Sequence, residues 1–125
     1  MPDLTTCHLY LLLQVADPAS SITGYLLDIG FYPADTHYAL YRANAGSYTT
    51  LIAETAGQPA IAVGDTYELT KTGAVLSVLR NGVAAGGSFG AFTDPSPLTG
   101  PGYVGFGGRD SNVLAVDDFT AGSLP

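Results

Sequence analysis

An all-β, antiparallel jelly-roll-like β-sandwich is the fold this sequence predicts, and three observations predict it. Apolar residues alternate with a period of two in short runs along the chain. The 16 glycines and 8 prolines interrupt these runs too often for a helix to persist. From Thr66 the chain reads TYELTKTGAVLSVLRNGVAAGG, then GPGYVGFGG, then VLAVDDFTAG, which is a succession of strands, a hairpin turn and a closing strand. No linker or repeat interrupts the pattern, so 1–125 reads as one domain of common size.

Each element has its own signal. In Leu9–Val15 the odd positions are all aliphatic, and Asp17-Pro18-Ala19-Ser20-Ser21 is a turn. Tyr25–Phe31 alternates again, with Asp28 aimed the other way. Tyr38–Arg42 is a third strand, turned by Asn44-Ala45-Gly46 into a fourth, Tyr48–Glu54. Tyr67 and Leu69 point inward while Thr66, Glu68 and Thr70 point outward. Lys71-Thr72-Gly73 leads into Val75–Arg80. Asn81-Gly82 is the strongest hairpin signal, because both residues tolerate the positive φ of a type I′ turn, and Val83–Ala85 returns. Gly86–Pro101 is mostly loop, and Tyr103–Gly107 and Val113–Thr120 finish the chain. About nine short strands at this spacing are the mark of a sandwich or barrel.

Composition excludes several function classes. There are 4 Lys+Arg against 11 Asp+Glu, a net charge of −7, so nucleic acid and anionic membrane surfaces are not expected partners. Charged residues are 12% of the chain, half the usual ~25%, which hints that a partner covers part of the surface. The longest apolar run, Leu9–Leu13, is far too short to span a bilayer. The N-terminus has Asp3 and no basic residue before that run, so a signal peptide is not expected and synthesis in a cytoplasm is. Cys7 stands alone, which rules out an internal disulfide; it reads as a small apolar residue.

The order and spacing of Gly24-Tyr25-Leu26-Leu27-Asp28, Tyr38–Arg42, Gly64–Leu69, Leu76–Gly82, Gly102–Gly108 and Val116–Gly122 resemble the concanavalin A-like lectin/glucanase superfamily. The likeness is closest to its laminin-G-like jelly-roll modules and covers roughly residues 9 to 123. The resemblance implies several strands ahead of the Gly-Tyr-Leu-Leu strand, the first pairing near the closing Asp-Asp-Phe strand. This sequence starts almost at that point. Either the fold is re-closed in a shorter form, or a neighbouring subunit covers the gap.

Candidate chemistry is sparse. Glucanases of that superfamily resemble one another in a Glu-x-Asp-x-Glu strand, and retaining cleavage needs two carboxyls about 5–5.5 Å apart. Only Glu54 and Glu68 are present, on separate strands, and both read as solvent-face residues. His8 falls in the first strand and His37 in a turn, with no Gly-x-Ser-x-Gly elbow to make a triad. Asp117-Asp118 is the best calcium candidate, yet neighbours on a strand face opposite ways, so a turn-capping role is preferred over a metal. Asp35, Asp94 and Asp110 read as turn-formers in loops. Tyr32, Tyr38, Tyr41 and Tyr48 could form a sugar-stacking platform, but tyrosine is also a good strand and interface residue. Gly105, Gly107 and Gly108 lack the lysine and following helix of a nucleotide loop and read as close packing or a bulge.

No catalytic residue, metal ligand or cofactor is therefore expected, and no ligand-binding residue is assigned. Two function classes stay open. One is a structural or interaction module, virion-associated as a phage capsid-decoration or tail-appendage protein, forming a homo-oligomer or binding a virion protein. The other is an extracellular carbohydrate-binding module that takes a glycan through loops and tyrosines.

Overall fold

In the computed structural model, which describes residues 7–16, 23–32, 35–62, 64–99 and 103–109, the first four apolar runs fold as one antiparallel meander. Its strands are β1 (Cys7–Ala16), β2 (Thr23–Tyr32), β3 (Asp35–Asn44) and β4 (Ser47–Gln58). The second sheet holds β5 (Tyr67–Thr72), β6 (Val75–Arg80), β7 (Val83–Ala84) and β8 (Phe92–Thr93), with β5 on one side of β6 and β7 and β8 sharing the other. The chain then returns as β9 (Tyr103–Arg109), which pairs with β1 and completes a first sheet ordered β4-β3-β2-β1-β9. The architecture is an all-β sandwich of two antiparallel sheets.

Period-two alternation places the core. Register pairs Leu11 with Leu27, Leu27 with Leu40, and Ile29 with Leu9 and Tyr38, so one face of the first sheet is continuously apolar. Against it pack Leu76 and Val78 of β6, together with Phe89. Tyr25, Leu27, Ile29, Tyr38, Leu40, Leu76 and Val78 are fully buried, each favouring the folded state by about 1.5–3 kcal/mol. Tyr67 and Leu69 pack on this cluster from β5, as their alternation predicts.

The hairpins follow their turn chemistry. Asn81 and Gly82 take φ of 54° and 77°, and the chain folds back so that Arg80 pairs with Val83. In β1 the register slips between Leu13 and Ala16, leaving Gln14 (φ 57°) and Val15 opposite Gly24. A Cβ on Gly24 would stand 3.1 Å from the Leu13 carbonyl oxygen and from Val15 Cα and Cγ2, so the bulge requires glycine there.

Three expectations need correction or extension. His37 lies within β3 opposite Gly30, not in a turn, because the β2–β3 ladder begins at the Tyr32–Asp35 pair. For the same reason Asp35 opens β3 instead of lying in a loop. Gly86–Pro101 also contains a 3₁₀ turn at Gly87–Phe89 and the short β8, since Phe89 enters the core and Phe92 pairs with Leu76. The Val113–Thr120 strand, Asp110 and Asp117-Asp118 lie outside the described residues.

Candidate functional site

Two polar clusters and one hollow carry the chemistry of the described residues. The first cluster is buried at the end of the sandwich where β2 and β3 meet the 94–98 segment. The Asp94 side chain is fully buried and accepts from the Arg42 guanidinium. It also accepts from the Tyr25 hydroxyl at 2.8 Å and from the Ser96 backbone N–H at 2.9 Å. The Tyr25 oxygen in turn accepts from the Leu98 N–H at 2.9 Å, and Gln14 Nε2 donates to the Leu98 carbonyl at 3.3 Å. Burial alone would raise the Asp94 carboxyl, but the Ser96, Tyr25 and Arg42 hydrogen bonds outweigh it and hold the group below the usual carboxylate range. Burial pushes the Tyr25 phenol up to about 12. Asp94 does form a turn with Ser96, as expected, but its ion pair with Arg42 is long-range and no local motif announces it.

The second cluster clasps the β4–β5 connection to the β6–β7 hairpin. Asp65 accepts from Arg80 at 2.8 Å, from Asn81 Nδ2 at 3.0 Å and from the Ala62 N–H at 2.8 Å. Arg80 also donates to the Ala60 carbonyl at 3.2 Å. The Asn81 amide, followed by the Ala62 N–H and Arg80, holds the Asp65 carboxyl below its ordinary value.

Beside this clasp lies a half-open hollow of about 150 Å³, lined by Tyr38, Gln58, Pro59, Arg80 and the Val83–Gly86 segment. The hairpin turn at Asn81-Gly82 brings its far wall back over Arg80. Val83 of the lining is 68% exposed, so apolar surface borders the hollow. Tyr38 Oη, Arg80 Nε and Tyr67 Oη are buried without a hydrogen bond of ordinary geometry, and the Tyr67 phenol interacts with both Tyr38 and Arg80. The Tyr67 ring meets Tyr38 edge-on at 6.3 Å and Phe89 does so at 5.5 Å, which fixes the Tyr38 ring. Burial, with the Tyr67 phenol adding to it, keeps Tyr38 protonated well above the usual phenol range. Sequence reasoning assigned no pocket here; only the Asn-Gly turn marked the place where the chain would double back.

The remaining candidates are dispersed. Glu54 and Glu68 are exposed on different sheets, as solvent-face residues should be. Glu54 meets His37 Nδ1 at 3.1 Å, and Asp35 lies 3.6 Å from His37 Nε2. Asp35 also accepts from the Thr36 and Gly57 N–H groups at 2.9 Å. His8 is buried against Asp28 at 2.7 Å. No cluster of three or more His, Cys, Asp or Glu suited to a metal ion occurs among the described residues. Tyr38, Tyr41 and Tyr48 do not make one platform: Tyr38 is in the core, Tyr41 is half-buried on the other face of β3, and Tyr48 is 57% exposed on β4, while the Tyr32 side chain lies outside the described residues. Gly105, Gly107 and Gly108 are strand residues of β9, paired with Leu12, Tyr10 and Leu9. Comparison with family models, with curated proteins and with solved structures finds no match.

Proposed function

We propose that this chain is a non-enzymatic structural and interaction module, a virion-associated protein of the capsid-decoration or tail-appendage kind that assembles with itself or with a virion protein. The observation that supports this reading most is β4. Among the described residues it is an edge strand of 12 residues, SYTTLIAETAGQ, most of them exposed, with Glu54 its single charge. Strand edges that must stay free are usually guarded by lysine, proline, inward charge or bulges; β4 has no lysine or proline, and its ladder with β3 is free of bulges from Tyr41–Thr50 to Asn44–Ser47. A weakly charged exposed edge on a chain with few charges overall suits a surface meant to be covered. The virion setting rests on the concanavalin A-like, laminin-G-like resemblance by analogy alone.

Light scattering on the full chain, run beside a glycan array, tests the reading. A stable oligomer without glycan hits supports it. A monomer with clear glycan hits overturns it in favour of a carbohydrate-binding module. A neighbouring gene for a major capsid or tail protein supports the virion setting; a neighbouring glycosidase gene counts against it.

A further inference from the structure

We propose that Asn81-Gly82 is a self-modifying site: the Asn81 carboxamide deamidates through attack by the Gly82 nitrogen, the Asp65 clasp holds that reaction back, and the product releases the clasp. The inference stands apart from the assembly reading above.

Sequence selects the residue. Of Asn44, Asn81 and Asn112, only Asn81 precedes a glycine. A Cβ on the following residue crowds the backbone nitrogen that must reach the side chain, and glycine has none. Around Gly82 even an added Cβ would meet nothing within 4 Å, and both turn residues are exposed, so water reaches the site.

The step balances without any co-reactant but water. A bond forms between Gly82 N and Asn81 Cγ while the Cγ–Nδ2 bond breaks. The amide nitrogen leaves as ammonia, and the Gly82 N–H proton passes through solvent to it. Water then opens the five-membered imide. Cleavage at Cγ leaves aspartate at position 81. Cleavage at the main-chain carbonyl leaves isoaspartate, with the backbone rerouted through the side chain.

The folded turn restrains ring closure in two ways. Asn81 and Gly82 have φ of 54° and 77°. The first residue of such a type I′ turn has ψ of about +30°, which swings the Gly82 nitrogen away from the Asn81 side chain. The ring cannot close until the turn opens. The amide is also held at both ends: Oδ1 accepts from the Thr66 N–H at 2.9 Å, and Nδ2 donates to Asp65 Oδ1 at 3.0 Å. The Asn81 N–H adds a bond to the Thr66 carbonyl at 2.9 Å. Opening breaks these bonds, so the folded chain should react at least about tenfold more slowly than an open one.

The product cannot rebuild the clasp. Where Nδ2 donated to Asp65 across 3.0 Å, a second carboxylate oxygen now faces the first. Asp65 is ionised at neutral pH, because the Asn81 amide, the Ala62 N–H and Arg80 hold its carboxyl below the ordinary value. Isoaspartate adds a backbone atom to a two-residue turn that must keep Arg80 opposite Val83. Either product loosens the tie between the β4–β5 connection and the β6–β7 hairpin.

Peptide mapping by mass spectrometry, during incubation of the full chain at mildly alkaline pH, tests the restraint. A synthetic peptide of residues 79–84 gives the open rate. Wild-type Asn81 is expected to convert at least about tenfold more slowly than the peptide. Asp65→Ala, kept below its unfolding transition, should convert about fivefold faster than wild type. Gly24→Ala, destabilised at the β1 bulge with the clasp intact, should match wild type, and Asn44 should stay intact throughout. Conversion of the folded wild type at the peptide rate, or equal acceleration in Gly24→Ala, overturns the restraint. Intact Asn81 in Asp65→Ala after the peptide has converted overturns the site. Wild type against peptide decides the restraint should Asp65→Ala fail to fold. Urea unfolding tests the release. Asn81→Asp tolerates the turn's positive φ, so its midpoint reads the facing carboxylates and should fall by about 0.5 M. The swap Asn81→Asp with Asp65→Asn restores a donor facing a carboxylate and should recover most of that fall. A wild-type midpoint in Asn81→Asp, or no recovery in the swap, overturns the release.

Discussion

Replacing Asp94 with alanine removes one partner of a buried ion pair and leaves the other behind. The Asp94 side chain is fully buried, and the Arg42 side chain is only 14% exposed. In Asp94→Ala the guanidinium stays in a poorly solvated site without its counter-charge, which costs about 3–5 kcal/mol. The Tyr25 hydroxyl and the Ser96 N–H lose their acceptor in the same step, so the upper part of that range is expected. Against a total of about 5–15 kcal/mol for an ordinary domain, this is about a quarter of the stability or more. With a urea slope of about 1–3 kcal/mol/M, the midpoint should fall by about 2 M. Far-ultraviolet dichroism during urea unfolding reads it. The double variant Arg42→Met with Asp94→Leu removes both charges at similar volume and should recover the ion-pair part of the loss, since apolar replacements of buried pairs are often neutral, while Tyr25 and Ser96 stay without their acceptor. A single-variant cost below about 1 kcal/mol, or a double variant as weak as Asp94→Ala, would refute the argument.

Other consequences follow the titrations and the bulge. The Asp94 carboxyl titrates below its unfolded value near 4, so its stabilisation is present above about pH 4 and lost as pH falls through the folded value. The wild-type urea midpoint should drop on acidification, and Asp94→Asn should flatten that dependence. Tyr25 ionises near 12 when folded and near 10 when unfolded, so stability should fall as pH rises from about 10 to 12. Tyr25→Phe should lessen that slope without abolishing it, since the Tyr38 phenol is raised as well, while costing about 1–3 kcal/mol at neutral pH through the orphaned Leu98 N–H; an unchanged alkaline slope would rule out Tyr25 as a source. Gly24→Ala places a methyl 3.1 Å from Val15 and the Leu13 carbonyl, and thermal unfolding should show a loss of about 1–3 kcal/mol. A neutral result there would mean that the bulge shifts freely.

The strands were legible where local rules dominate. Val75–Arg80 matches β6 at both ends, because Gly73 before it and Asn81-Gly82 after it are unambiguous turn residues. β4 runs to Gln58 instead of stopping at Glu54, since its pairing with β3 continues through bulges that no period-two pattern encodes. Phe92 was invisible as a strand because a two-residue bridge has no period. The candidate site was almost illegible for a related reason. Tyr38 lies 42 residues before Arg80 in sequence, and they come together only once the two sheets pack. Asp94 looked like a turn residue and is one; its partner Arg42 lies in a different sheet strand, and nothing near either residue in sequence joins them.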